Sequence, residues 1–125
     1  MMNLRVILMA ILLTFSLGAC SDVASLLKPN QDLAAGIKSY EDGNYGTALS
    51  QLQKAQNPAA SSKADQVTAH KYMAFIQCVS GREEQCRSEF RKALTIDPSF
   101  DLKKAEAGHP VWGPVFRGEK AKFAR

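Results

Sequence analysis

Apolar residues between positions 32 and 98 recur at spacings of three and four, which is the period of an α-helix with one buried side. The pattern is interrupted at Gly43-Asn44, at Asn57-Pro58 and at Ser80-Gly81, and it stops at Asp97-Pro98. Turn-forming residues at these places predict four helices joined by short connections. Asp32 is expected to cap the first of them.

The two halves of this region repeat one another. Gly43 aligns with Gly81, and the helix after each glycine carries equivalent apolar positions, every pair 38 residues apart. The other aligned pairs are Ala48 with Cys86, Leu52 with Phe90, and Ala55 with Ala93. The repeat predicts two similar helical hairpins that stack, because one hairpin cannot bury its apolar stripe alone.

A further helix is predicted in residues 99–125. Its apolar positions are spaced for one side of a helix, and Pro114 lies where a first turn tolerates a missing N–H. These positions are Trp112, Val115, Phe116 and Phe123. Because two hairpins form a marginal stack, we expect this helix to cap them.

Trp112 and His109 are the two residues of this segment that invite a functional interpretation. Trp112 is either a lid over the open end of the stack or an anchor for a ligand at its edge. His109 is expected to buttress the turn beside Pro110, since the sequence indicates no nucleophile, second histidine or carboxylate pair near it.

The repeat resembles the tetratricopeptide repeat (TPR). The first unit matches the family pattern at Gly36, Tyr40, Gly43, Tyr45, Ala48, Leu52 and Ala55, and the second at Ala74, Gly81, Cys86, Phe90, Ala93 and Pro98. Two features depart from the family: the period is 38 residues rather than about 34, and Glu83 stands where an aromatic residue is usual.

The resemblance implies an all-α domain whose concave face is formed mainly by the first helix of each hairpin. Such a face holds an extended peptide or a partner helix. The candidate contact residues, with Trp112 at the edge of the groove, are Lys38, Glu41, Lys71, Tyr72 and Gln77.

The chain begins with a basic residue, Arg5, followed by an apolar run over 6–17 and by Leu17-Gly18-Ala19-Cys20. This start is typical of an export signal, and the run is too short to span a bilayer comfortably. The last four residues resemble the lipobox of bacterial lipoproteins, which implies cleavage before Cys20 and acylation of that cysteine. An ordinary cleaved signal and an uncleaved anchor helix are the alternatives.

The predicted organisation is a signal-peptide helix over 1–19, a lipidated tether over 20–31, two TPR-like repeats over 32–98 and a capping segment over 99–125. Two or three acyl chains give stable anchoring, and the extended tether reaches only about 35 Å. Ser21 directly after the cysteine favours the outer membrane in enterobacterial-type sorting. We therefore predict its periplasmic face, with the inner membrane as the alternative.

Two cysteines remain besides Cys20. Cys78 and Cys86 flank the Ser80-Gly81 turn, near the facing ends of two antiparallel helices. An export signal implies an oxidising compartment, where such a pair usually bonds, and the positions are within reach of a disulfide. The alternative is two reduced, buried cysteines that fill small-residue positions.

Charge and motifs limit the possible functions. The formal net charge is +4 at pH 7, without a dense basic stripe, so nucleic acid is not predicted as a partner. The basic residues of the last segment are expected to form a solvated tail or to touch anionic lipid or an acidic partner: Arg117, Lys120, Lys122 and Arg125. With no phosphate loop, metal cluster or catalytic constellation, we predict no enzyme, cofactor, metal or small-molecule substrate.

The sequence thus predicts a periplasmic adaptor or assembly factor that binds a protein or peptide in its groove and the membrane through acylated Cys20. The overall layout, including the segment 108–116, is also similar to small lipoproteins associated with type VI secretion clusters, which implies a secretion apparatus. The alternatives are a pilotin-like lipoprotein or an accessory of outer-membrane protein assembly. An envelope enzyme or a peptidoglycan-binding protein has no motif behind it.

Overall fold

The structure is a computed structural model, and it describes residues 29–124. Every regular element in this range is a helix, which confirms the all-α prediction for these residues. The helices are α1 (Gln31–Glu41), α2 (Tyr45–Ala55), α3 (Lys63–Val79), α4 (Glu83–Ile96), α5 (Lys104–Ala107) and α6 (Trp112–Phe123). The predicted signal peptide over 1–19, Cys20 and most of the predicted tether lie outside the described residues.

The first helix pair, α1 and α2, is joined by a tight turn at Gly43, whose φ of +79° is the left-handed conformation that glycine adopts without strain. The two helices approach each other closely at Gly36. A Cβ atom at this position would lie 2.7 Å from Cγ and Cδ2 of Leu52, so only glycine leaves room for that fully buried leucine.

The second helix pair, α3 and α4, is joined in the same way at Gly81, with a φ of +76°. A disulfide links Cys78 to Cys86 across this turn, with the two Cα atoms 5.1 Å apart. The predicted bond is therefore confirmed, and the alternative of two reduced cysteines is wrong.

The core consists of two clusters that share α3. One cluster lies between α1, α2 and α3, and the other lies between α3, α4 and the C-terminal segment. The first contains Leu33, Ala48, Leu52, Ala55, Ala69, Met73 and Ile76. The second contains Ala74, Phe75, Cys78, Cys86, Phe90, Leu94, Leu102, Trp112, Val115 and Phe116. Helix α3 is buried on two sides and therefore joins the two helix pairs.

The first helix is capped by Asn30, which corrects the prediction that Asp32 caps it. The Asn30 side-chain oxygen accepts a hydrogen bond from the Leu33 N–H at 3.0 Å. Its amide nitrogen donates to the Ala55 carbonyl at 3.1 Å and to the Ser61 hydroxyl at 2.8 Å. Asn30 thus links the start of α1 to the end of α2. Asp32 lies in the first turn of α1, where its negative charge interacts favourably with the helix N-terminus.

Lys120 ties the C-terminal helix to the body, which corrects the expectation of a solvated tail for this residue. Arg117 and Lys122 are exposed, and Arg125 lies outside the described residues. Lys120 donates to the backbone carbonyls of Pro98 and Phe100 at 3.0 and 2.6 Å. Arg117 donates to the Ala107 carbonyl at 3.2 Å. The predicted C-terminal helix is present as α6, which packs against α4 and α3. The single turn of α5 was not predicted.

Glu119 is the buried charge that joins α6 to α4. Its side chain is 0% exposed and lies 3.2 Å from Arg91 and 2.8 Å from Lys122, with Arg87 at 3.9 Å. Burial by itself raises the pKa of Glu119, but hydrogen bonds from Lys122 and Arg91 and the positive charges of both hold the pKa below its ordinary value.

Glu119 therefore makes stability depend on pH. A depressed pKa in the folded state adds stability that is complete above the ordinary carboxylate range and is lost as the pH falls through the folded pKa. We expect Glu119→Gln to reduce the free energy of unfolding by about 1–3 kcal/mol at pH 7 and to flatten the decline of stability as the pH falls below the ordinary carboxylate range. Urea unfolding at a series of pH values measures both effects. Glu84→Gln, at an exposed position of α4, is the control and should change stability by less than about 0.5 kcal/mol.

Two glycines of α6 give a second, internally controlled prediction. A Cβ at Gly113 would lie 2.5 Å from the Ala107 carbonyl oxygen, whereas a Cβ at Gly118 would meet no atom closer than 3.8 Å. We expect Gly113→Ala to destabilise the protein by about 1–3 kcal/mol and Gly118→Ala to stabilise it by about 0.5–1 kcal/mol. Thermal unfolding of the two variants tests this; equal shifts of the same sign would contradict the close approach.

Candidate functional site

A continuous row of aromatic rings crosses both helix pairs and the C-terminal segment. We call it the aromatic face, and it consists of Tyr45, Tyr40, Tyr72, Phe75, Trp112 and His109. Successive ring centroids are 5.8, 5.1, 5.7, 4.2 and 3.4 Å apart. These separations lie within or near the range in which aromatic pairs attract beyond their buried area. Segments distant in sequence thus meet in one row of rings.

The two ends of the aromatic face differ in exposure. Tyr45 is 37% exposed, and Tyr40 and Tyr72 are half-buried. Phe75 and Trp112 are buried, at 2% and 8% exposure. The tyrosine end is therefore open to solvent, while the tryptophan end belongs to the core.

The environment keeps the tyrosine hydroxyls protonated. Burial raises the pKa of Tyr72, and the negative charges of Glu106 and Glu41 raise it further. Burial also raises the pKa of Tyr40, with smaller contributions from Tyr45, Tyr72 and Glu106. At neutral pH both phenols remain hydrogen-bond donors beside two carboxylates.

Trp112 occupies the position that the lid alternative requires. Its ring stacks on Phe75 with an interplanar angle of 20° and is covered on its other side by His109 at 3.4 Å and 5°. The indole N–H donates to the Glu106 carbonyl at 2.9 Å. His109 in turn accepts a hydrogen bond from the Val111 N–H through Nδ1 at 3.2 Å. Little indole surface is left for a ligand.

Lys71 is buried, although it was predicted as a groove residue. Its ammonium group lies 2.8 Å from Glu106 and 4.9 Å from the centre of the Tyr72 ring, and the residue is only 7% exposed. The ion pair and the cation–π contact hold the C-terminal segment against α3. Lys71 therefore supports the aromatic face from beneath and does not offer an open charge.

The other predicted contact residues are placed in three ways. Glu41 is exposed at the end of α1 and is close enough to Tyr72 to raise its pKa. Lys38 is exposed and forms an ion pair with Asp42 at 3.0 Å. Gln77 is half-buried and accepts a hydrogen bond from Arg82. Glu41 therefore lies near Tyr72 of the aromatic face. The side chain of Gln77 is already bonded to Arg82.

Tyr40, Tyr45 and Glu106 were not predicted as site residues. The two tyrosines were used only as matches to the repeat pattern, where an aromatic residue signals packing. Their spacing of five residues across the Gly43 turn was the one available signal that they could stack on each other. Glu106 carried no signal, because its contact with Lys71 joins positions 35 residues apart.

A cleft of about 470 Å³ lies along α3, and none of the rings of the aromatic face lines it. Lys71 borders it, together with Val67 and Thr68 from α3 and Phe100 from the segment after α4. Over residues 29–124, three or more metal-ligating side chains do not gather at any point. None of the described helices is both long and apolar enough to cross a membrane.

Neither a protein-family model nor a curated protein nor a solved structure matches this chain. Its function is therefore inferred from its own residues and their arrangement.

Proposed function

We propose that this protein is a bacterial lipoprotein that binds a protein partner through its aromatic face while acylated Cys20 holds it at a membrane. The observation that carries the proposal is the open tyrosine end of the aromatic face. Exposed, contiguous aromatic side chains on a folded surface are typical of binding sites. Tyrosine supplies a large contact area with few rotatable bonds and keeps a hydroxyl for hydrogen bonding.

The TPR resemblance supports this interpretation. Gly43 and Gly81, aligned by the repeat, both have positive φ, and the aligned pairs Leu52 with Phe90 and Ala55 with Ala93 are all at most 1% exposed. We infer that the two helix pairs are TPR-like units. The tyrosines of α1 and α3 then lie on the helices that form the binding groove in such units.

The lipobox sequence supports the anchor. Acylation of Cys20 would confine the domain within a tether length of the bilayer, so that a weak contact gains from a high effective concentration. The role we propose is an adaptor or assembly factor on the periplasmic face of the outer membrane, without catalysis. The similarity of layout to type VI-associated lipoproteins makes a secretion apparatus the proposed setting.

Tyr45 offers the sharpest test of partner binding, because its exposure lets it be changed with little effect on the fold. We expect Tyr45→Ala, and more strongly Tyr40→Ala with Tyr45→Ala, to reduce recovery of a specific partner from solubilised membranes by tenfold or more, which corresponds to about 1.4 kcal/mol. Gln53→Ala, at an exposed position two turns further along α2, is the matched control. Equal recovery with all three variants would contradict a binding role for the aromatic face.

A further inference from the structure

The fold already holds one cation among the residues of the aromatic face. The ammonium group of Lys71 lies 2.8 Å from a carboxylate oxygen of Glu106. It also lies 4.9 Å from the centre of the Tyr72 ring and 5.8 Å from the centre of the Phe75 ring. A positive charge near an aromatic ring is attracted to the electron-rich ring face, and a carboxylate adds a charge-assisted hydrogen bond. A carboxylate beside aromatic rings is thus the combination that holds a cation within this fold.

The exposed end of the aromatic face has the same kinds of groups. Tyr45 is 37% exposed, and one side of its ring is stacked on Tyr40, with the centroids 5.8 Å apart and an interplanar angle of 25°. The other side of the Tyr45 ring is therefore the side available to a partner. Glu41 follows Tyr40 as the last residue of α1 and is exposed. Burial, and then the negative charges of Glu106 and Glu41, raise the pKa of Tyr72, so the charge of Glu41 reaches the rings.

The carboxylate of Glu41 is the charge at this end that lacks a counter-ion among the described residues. Asp42 is paired with Lys38 at 3.0 Å, and Glu106 is paired with Lys71 at 2.8 Å. Glu41 takes part in none of the ion pairs formed within residues 29–124. The C-terminal end of α1 adds a partial negative charge of its own. The exposed rings therefore lie beside an unmatched negative charge, and their complement is a cation.

A guanidinium group fits these residues better than an ammonium group. It is planar, so it can lie flat on the free side of the Tyr45 ring, and it offers paired N–H donors to the two oxygens of a carboxylate. It is also more weakly hydrated than an ammonium group, so the contact removes less hydration. Glu41 ends α1 and Tyr45 begins α2, so both groups flank the same short turn at Gly43.

We propose, on the basis of the proposed function, that the partner supplies an arginine side chain to the exposed end of the aromatic face. The guanidinium group stacks on Tyr45 and pairs with Glu41. The segment of the partner that contacts this surface is therefore basic. A lysine side chain is the other natural cation, and it would pair with the carboxylate without stacking on the ring.

Nuclear magnetic resonance of the purified protein tests the proposal without the natural partner. The chain has three tyrosines, and all of them belong to the aromatic face, so the ring signals of protein labelled at tyrosine report on this surface alone. The probes are N-acetyl-arginine amide, N-acetyl-lysine amide and N-acetyl-citrulline amide, of which the last is the uncharged isostere of the first. At about 50 mM of each probe, we expect the arginine probe to shift the Tyr45 ring signals at least about threefold more than either other probe.

Variants separate the contribution of the carboxylate from that of the ring. Glu41→Gln should reduce the shift that the arginine probe causes at Tyr45 at least about twofold. Glu84→Gln, at an exposed position of α4, is the matched control and should leave this shift unchanged. Tyr45→Leu keeps an apolar side chain but removes the ring, so the response of the Tyr40 signals to the arginine probe should also fall at least about twofold.

The outcomes distinguish this proposal from the proposed function. Equal shifts with the arginine and citrulline probes, or a response unaffected by Glu41→Gln, would overturn the arginine site. An equal response to the lysine probe would overturn the choice of arginine. If recovery of a partner depends on Tyr45 while the arginine and citrulline shifts are equal, the aromatic face remains a binding site and only its arginine is rejected. An arginine-specific shift with unchanged recovery by Tyr45→Ala would instead reject the proposed function.

Discussion

Replacing Trp112 with alanine is expected to lower the free energy of unfolding by about 3–5 kcal/mol. The indole fills the space between Phe75 and His109, and its N–H hydrogen bond to the Glu106 carbonyl fixes the segment that Lys71 also holds. A domain of this size has only about 5–15 kcal/mol of stability, so the variant should unfold readily on warming.

The measurement is urea unfolding followed by circular dichroism, since Trp112 is the one tryptophan of the chain and its fluorescence is lost in the variant. Val111→Ala, at the neighbouring residue, is the control: Val111 is 45% exposed, and its truncation should cost less than about 0.5 kcal/mol. If Trp112→Ala lowers the free energy of unfolding by less than about 1 kcal/mol, the tryptophan is not a lid. The result would then favour the alternative that Trp112 anchors a ligand.

Removing the disulfide is expected to have the next largest effect. The bond closes a short loop, because Cys86 follows Cys78 at a sequence separation of 8. Closing such a loop in the unfolded chain stabilises the folded protein by about 2–3 kcal/mol. The double variant Cys78→Ala with Cys86→Ala should lose this amount and keep the fold, because both positions are buried and alanine fits the space of a cysteine.

A reducing agent provides the matched control for this prediction. It should destabilise the wild-type protein by the same amount and leave the double variant unaffected. A wild-type protein whose unfolding midpoint does not respond to the reductant would contradict the bond or its contribution. Mass measurement of the protein isolated without a reductant checks the pair directly, because the bonded protein is two hydrogens lighter.

Local patterns predicted the helices well. The spacing of apolar residues, together with the turns at Gly43 and Gly81, was sufficient to predict helices α1 to α4. Both signals depend on residues that are close in sequence, so they can be read from the sequence directly. The single turn of α5 has too few residues to show a period. The Asn30 cap was missed because Asp32 is an equally good capping residue, and the choice depends on contacts with Ala55 and Ser61.

The candidate site could be predicted only in part, because it is built from contacts distant in sequence. Tyr72 and Glu41 were identified from their position on the first helix of each repeat. Lys71 was expected to be available, but its partner Glu106 lies 35 residues away and buries it. Glu119 likewise looked like one charge in a basic tail, although three cations surround it in the fold. Sequence spacing does not reveal which charges will meet.

The central claim, that the aromatic face binds a partner while Cys20 holds the domain at a membrane, is tested most directly by photocrosslinking in intact cells. A photoreactive phenylalanine at position 45 should give one dominant adduct with a membrane-associated protein, and the same group at position 53 should not. Introducing Cys20→Ser should reduce the adduct at position 45 at least about tenfold, because the effective concentration at the membrane is lost. No adduct at position 45, the same adduct from position 53, or an adduct unchanged by Cys20→Ser would contradict the account.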